Sequence, residues 1–274
     1  RKDMVAWYSA ENIEMTGSEV TKVYDMSGTG NHLDELDSAM SDDFPSYDTR
    51  TPPSGPVTVT ANFKGKKVIK FDGTEDHAEH IRCQPATLSR AFGTSLSPIA
   101  DPTWTIAGVI AENATSADQE VFLRLSDASG ANKIELLRHN QGRRWIVRGS
   151  GNTGNHFDSA EGVWLEAPQT FVFTARDPDT GVDDSLHTMV MWAAGSAQVW
   201  TDTDDTTFEL QSGTAGGAVE TLIPNRIYLS HHPASQMDRG WYGSMAEIIV
   251  WAGSFNDAEL QEATNYLSAK WGCA

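Results

Sequence analysis

Cysteine and positive charge are scarce in this 274-residue chain. It holds two cysteines, and 20 Lys and Arg stand against 38 Asp and Glu, a formal charge of −18. Cys83 and Cys273 lie 190 positions apart, which excludes Cys-x-x-Cys redox or zinc sites built from neighbouring thiols. Two readings of the pair stay open: one long-range disulfide tying the C-terminus to the body, or two unpaired small hydrophobes. The shortage of cations excludes unassisted binding to nucleic acid or anionic lipid, since each depends on Lys and Arg meeting phosphate. No apolar run approaches the ~20 residues of a spanning helix, so membrane insertion is not expected. Nucleophile signatures are missing as well: there is no Ser-His-Asp pattern and no Gly-x-Ser-x-Gly elbow. Gly28-Thr29-Gly30 lacks the third glycine and the helix of a dinucleotide fingerprint. The sequence opens at Arg1 without Met or an apolar signal segment, as expected of a processed chain or a piece of a larger one.

What is present is strand rhythm. Short β-branched and aromatic runs alternate with Gly, Pro, Asn and Asp clusters, the pattern of a sandwich. They predict strands over 57–63, 67–71, 104–110, 120–125, 133–137, 144–148, 170–175, 187–192, 226–229 and 246–251. Arg144, Ile146 and Arg148 alternate with Trp145 and Val147, marking one wet and one buried face. A single helix is expected near the C-terminus. Asn256 and Glu259 form a capping box, Leu260, Ala263, Leu267 and Trp271 form its apolar stripe, and Gly272 stops it. The polar stretches 34–48 and 51–56 read as surface loops, and a chain of this length folds as one all-β domain, 1–274. Such a chain buries about three-quarters of its extended surface and needs no staple.

Three stretches carry a family likeness. Val5-Ala6-Trp7-Tyr8-Ser9-Ala10 leads into the turn Asp25-Met26-Ser27-Gly28-Thr29-Gly30-Asn31, and Phe71-Asp72-Gly73 follows in the middle. Gly243 to Trp251 then runs into Asn256-Asp257-Ala258-Glu259-Leu260 and Tyr266 to Gly272. This resembles the LamG-like, concanavalin A-like jelly-roll domains of bacterial surface proteins, secreted glycan-degrading enzymes and phage tail or virion proteins. The resemblance implies an all-β, two-sheet antiparallel jelly-roll sandwich whose first and last segments meet, with one short C-terminal helix. It implies no particular activity, because this fold hosts binders, spacers and enzymes.

Candidate chemistry falls into four residue classes. Sandwich glycosidases need two carboxylates flanking the scissile bond, and the Glu-x-Asp-x-x-Glu strand of laminarinase-like members is missing here. Glu247 reads as a structural hydrogen bond or a solvated position, and no catalytic residue is assigned. Asp76-His77-Ala78-Glu79-His80 and His231-His232 contain ligand types, but not the His-Glu-x-x-His spacing of a zincin, and read as loop residues. Four imidazoles meeting across loops could hold a transition metal, but Ca²⁺ is the better-supported ion and no cofactor is required. Asp25, Asn31, Asp177 and Asp179 supply hard oxygens for it, and solvated acidic loops are the alternative. Of the nine Trp, most sit in strand or helix patterns where burial is expected. Trp241, Tyr242, Arg239 and Trp200 combine aromatic faces with a guanidinium and are the candidate glycan site.

The reading is a non-catalytic recognition or structural module on an extracellular or virion surface, engaging a glycan or a neighbouring protein subunit. A homo-oligomer within a larger assembly is compatible with it. The alternatives are a purely architectural virion or fibre component and a glycan hydrolase or lyase with an unrecognised site.

Overall fold

The structure, a computed structural model, describes residues 3–34 except 18, 46–48, 63–72, 81–83, 88–94, 97–98, 103–112, 119–126, 133–139, 144–148, 156–158, 168–176, 188–193, 196–198, 225–230 and 241–273. In chain order the strands begin with β1 (Met4–Thr16), β2 (Glu19–Asp25), β3 (Ser46–Asp48), β4 (Val68–Asp72) and β5 (Ile81–Cys83). A helical turn α1 (Ser89–Phe92) and the small hairpin of β6 (Gly93–Thr94) and β7 (Ser97–Pro98) follow. Then come β8 (Trp104–Glu112), β9 (Gln119–Ser126), β10 (Lys133–His139), β11 (Arg144–Arg148), β12 (His156–Asp158) and β13 (Gln169–Arg176). The chain closes with β14 (Thr188–Ala193), β15 (Ser196–Gln198), β16 (Arg226–Leu229), β17 (Tyr242–Ala252) and α2 (Asp257–Trp271).

These strands build a β-sandwich. A nine-stranded sheet runs β1-β2-β3-β4-β17-β8-β13-β14-β15, and a six-stranded sheet runs β12-β11-β10-β9-β16-β5. β17 is the axis of the larger sheet. It pairs with β8 along one side, while its other side takes β4 at Tyr242–Met245 and β1 at Glu247–Trp251. First and last strands therefore meet, as the resemblance implied. Inner-face residues of both sheets, among them Leu123, Leu125, Ile134, Leu136, Ile227 and Leu229 of the smaller, join one core with Phe171, Phe173, Ile248 and Val250 of the larger. In β9, Leu136 faces Leu123 and Leu137 faces Val121, so Phe122 is the extra residue of a bulge. That bulge sends its ring into the core, 5.3 Å from Phe171 between centroids.

The helix forms where the sequence places it. Asn256 accepts from the Glu259 amide and Glu259 accepts from the Asn256 amide, the expected capping box. Gly272 closes it in the left-handed conformation at φ 72°. Leu260, Leu267 and Trp271 are buried, each contributing about 1.5–3 kcal/mol, and α2 lies on β8, β13 and β14 of the larger sheet. Its entry is fixed by buried hydroxyls: Thr174 accepts from the Phe255 amide at 2.8 Å and lies 2.9 Å from Thr105, which donates to the Gly253 carbonyl.

Strand prediction succeeds at the longer strands but misses the short β5, β6, β7, β12 and β15, and it differs elsewhere too. β1 and β2 form where only a motif was read, and β3 lies inside the stretch 34–48 read as a loop. Phe63, expected to end a strand, opens a 3₁₀ turn and packs edge-on against Trp271; 57–62 lie outside the described residues.

The crossing of β8 and β17 is tight. A Cβ on Gly108 would sit 2.6 Å from the Glu247 carbonyl oxygen and 2.7 Å from Ile248 Cδ1 and Phe171 Cζ. Gly108→Ala is expected to cost about 1–3 kcal/mol through overpacking, read as a lowered urea midpoint with an unchanged slope.

Candidate functional site

The first turn of the chain is built on Asp25. Its Oδ1 accepts the amides of Trp7 (3.0 Å) and Ser27 (2.9 Å), and its Oδ2 accepts the Ser27 hydroxyl (2.8 Å), the Thr29 hydroxyl (2.5 Å) and the Asn31 amide (3.0 Å). Five N–H and O–H donors thus converge on one carboxylate. Burial pushes the Asp25 carboxyl up, but bonds from Thr29, Ser27 and Trp7 outweigh it and hold it below the ordinary value. Asn31, its supposed partner in a Ca²⁺ site, instead donates its side-chain amide to Thr29 and to the Val5 carbonyl. The pair organises the turn, and the Asp25 oxygens expected to face Ca²⁺ are engaged by the turn's own donors. Among the described residues no group of three or more His, Cys, Asp or Glu is gathered to hold a metal ion. Asp177 and Asp179 lie outside the described residues, as do both His clusters.

Glu247 is the second buried carboxylate and is fully covered. Its Oε1 accepts Trp7 Nε1 (2.6 Å) and the Tyr266 hydroxyl (3.2 Å), and its Oε2 accepts Trp271 Nε1 (2.6 Å) and pairs with Lys270 (2.7 Å). Two indoles, a phenol and an ammonium from β1 and α2 therefore meet on the axial strand. Burial pushes Lys270 down, but the bond to Glu247, its charge and the Tyr266 phenol together outweigh it and hold the ammonium above its ordinary value. The structural reading of Glu247 holds: every oxygen is engaged in fastening helix to sheet.

The proposed glycan platform is partly dissolved. Trp241 is 1% exposed and sits between Phe71 of the larger sheet (5.6 Å) and Phe122 of the smaller (5.9 Å). It is an inter-sheet plug with no face left for a sugar, because β17 begins one residue later and pulls it into the core. Tyr242 opens β17 half-buried, opposite Asp72; Arg239 and Trp200 lie outside the described residues. The thiol of Cys273 is free and buried, which corrects the disulfide alternative. Cys83 belongs to β5, an edge of the smaller sheet, whereas Cys273 follows α2 on the larger. Burial pushes the Cys273 thiol up to about 12.

A cluster that sequence reasoning missed crosses the smaller sheet. Glu135 of β10 pairs with Arg124 of β9, and Arg124 pairs with Tyr228 of β16. Tyr228 and Val121 stand outside the core cluster that takes their neighbours Ile227, Leu229 and Leu123, so this row lies on the face away from the core. The same row continues in register through Arg148 and His156 on one side and Arg82 on the other. Arg124 Nη1 lies 3.2 Å from Glu135 Oε1, and both side chains are 1% exposed. At its margin Arg226, half-buried, donates from Nη1 to the Tyr228 hydroxyl at 3.1 Å. A cross-strand ion pair is worth about 0.2–1 kcal/mol, while desolvating each ion costs several kcal/mol. Stability alone does not select this pair over an apolar one, and Tyr228 beside it is likewise 1% exposed, so the row is buried where the structure describes it. The only sequence signal was the alternation of Arg144, Ile146 and Arg148; the row itself needs the register of six strands.

No protein-family model matches the sequence, and no curated protein matches it. Solved structures do. An arabinofuranosidase complexed with arabinofuranosyl-α-1,2-xylobiose is 15% identical over 92% of this chain and 51% of its own, with a TM-score of 0.56. A Trypanosoma rangeli sialidase in complex with the inhibitor DANA is 11% identical over 97% of this chain and 33% of its own, with a TM-score of 0.50. A Ruminococcus gnavus sialidase CBM40 bound to α2,3-sialyllactose matches 59% of this chain and 82% of its own at 14% identity and a TM-score of 0.41. The chain thus spans about half of the arabinofuranosidase and a third of the Trypanosoma sialidase. At these identities the likeness establishes the sandwich fold alone.

Both buried carboxylates make checkable demands. In Glu247→Gln the amide NH₂ would face an indole N–H, leaving a buried donor unpaired at a cost of about 1–3 kcal/mol, seen as a lower urea midpoint. Because the Asp25 pKa is depressed on folding, its stabilisation is complete above the unfolded value near 3.8 and is lost as pH falls through the folded value. The stability difference between wild type and Asp25→Asn should therefore shrink between about pH 5 and pH 2.

Proposed function

We propose that this chain is a non-catalytic recognition module of an extracellular or virion surface, and that it binds a glycan with the half-buried Tyr242 as its candidate contact. The observation that carries this reading is the two-sheet sandwich, the fold shared with the solved structures named above. Of the described aromatic candidates, Tyr242 is half-buried and keeps part of its ring for a sugar face. The arabinofuranosidase was solved with arabinofuranosyl-α-1,2-xylobiose and the sialidase with an inhibitor, which accords with a glycan-directed role for this fold. The non-catalytic part of the reading rests on the buried carboxylates. Asp25 and Glu247 are occupied by structural donors and Glu135 by Arg124, so none of the three is free to serve in the acid-and-base pair that glycoside hydrolysis needs. A membership among LamG-like domains accords with the paired first and last strands and the capped helix behind them.

The test is a glycan array probed with the purified chain, followed by the same array with Tyr242→Ala. A specific hit that the variant weakens at least tenfold, with no reducing ends released from the bound polysaccharide, is the expected result. An array without hits would favour the architectural alternative, and release of reducing or unsaturated ends would make the chain an enzyme.

A further inference from the structure

Two aromatic side chains at the seam of β1 and α2 are turned the wrong way round for stability alone. A surface tyrosine or tryptophan ordinarily lays its ring on the core and leaves its polar tip in water. Here the order is reversed. Tyr266 is 42% exposed, yet its hydroxyl donates to Oε1 of Glu247, whose side chain is fully covered. Trp7 is partly exposed and gives its indole N–H to the same oxygen at 2.6 Å. With both polar ends committed inward, what each residue offers solvent is apolar ring surface. The rings are also held in place. One oxygen fixes both, and the Lys270 ammonium lies 5.9 Å from the Trp7 centroid and 5.8 Å from that of Tyr266. A ring pinned in this way loses little freedom when a ligand stacks on it.

The groups bordering the rings are charged but balanced. Glu11, exposed, pairs with Lys66 at 2.8 Å and with Lys270 at 3.4 Å, and Lys270 pairs with Glu247 at 2.7 Å. Two carboxylates thus face two ammonium groups, so the border supplies donors and acceptors and no surplus charge. From this arrangement we infer that Trp7 and Tyr266 form a stacking platform for a neutral pyranose with equatorial hydroxyls, such as β-1,4-linked glucose or xylose. Such a sugar has flat C–H faces for the aromatic surfaces and a rim of hydroxyls for Glu11 and Lys66. An anionic sugar finds no uncompensated cation here, and a long apolar segment of a protein partner meets charge on the Glu11 side. The inference rests on the reading of this chain as a glycan binder and adds a contact distinct from Tyr242. Tyr242 stands where β17 pairs with β4, whereas the platform lies where β17 pairs with β1.

The experiment is isothermal titration of the full chain with cellohexaose, xylohexaose and, as the anionic comparison, an oligogalacturonate of the same length. At least one neutral probe should bind more tightly than the oligogalacturonate, with an affinity that holds steady as salt rises from about 20 to about 200 mM. Tyr266→Ala should weaken that binding about tenfold, whereas Tyr266→Phe, which keeps the ring and loses the bond to Glu247, should retain it. A residue that only fastened the helix would show no such split. Where the alanine variant folds poorly, hydrogen exchange of the wild type with saturating neutral probe decides, with added protection expected in 4–16 and 257–271. Binding unaffected by Tyr266→Ala, protection only elsewhere, or no binding of either neutral probe overturns the platform. The glycan reading itself then stands on any specific array hit that Tyr242→Ala weakens, and an array without hits overturns both.

Discussion

A buried carboxylate on the axial strand organises this molecule. Glu247 sits where β17 passes from one partner to another, and it draws Trp7 from the first strand and Tyr266, Lys270 and Trp271 from the last helix onto two oxygens. An unpaired carboxylate there would be prohibitive; with four donors it becomes a clamp that only one arrangement of β1, β17 and α2 satisfies. Helix propensity and apolar burial bring α2 to the sheet, and Glu247 decides its register upon it. Lys270 is shared further with Glu11 at 3.4 Å, and Glu11 with Lys66 at 2.8 Å, so the clamp grades outward into a partly exposed charge network.

That clamp has a consequence for recognition. The outer face of the larger sheet is covered by α2 over β8, β13 and β14, and its polar groups are spent on holding the cover in place. The smaller sheet carries its polar groups differently: Glu135, Arg124 and Tyr228 form a row across three strands, bordered by Arg226. That row too is buried where the structure describes it, so among the described residues the smaller sheet turns no charged group openly to solvent.

The fold was largely legible because its signals are local. Strand alternation, the Asn256–Glu259 capping box and the Gly272 stop each act within a few residues, and each forms as read. What was not legible depends on contacts distant in sequence. Trp241, flanked by Arg239 and Gly240, looked like a loop aromatic, and only the approach of Phe71 and Phe122 from opposite sheets makes it core. Asp25 carries a residue type suited to Ca²⁺, and its five donors include the Trp7 amide eighteen positions away. The Arg124 row required the pairing of β9, β10 and β16, separated by loops that carry no register signal. β3 was hidden inside an acidic, Pro-containing stretch because three residues are too few for alternation to show.

The hold of Glu247 on β1 and α2 can be read residue by residue. Hydrogen exchange of backbone amides in the wild type is compared with that in Glu247→Gln. Faster exchange is predicted in 4–16 and 257–271, with 119–126 and 133–139 unchanged. Exchange unchanged in α2, or raised equally throughout, would contradict it.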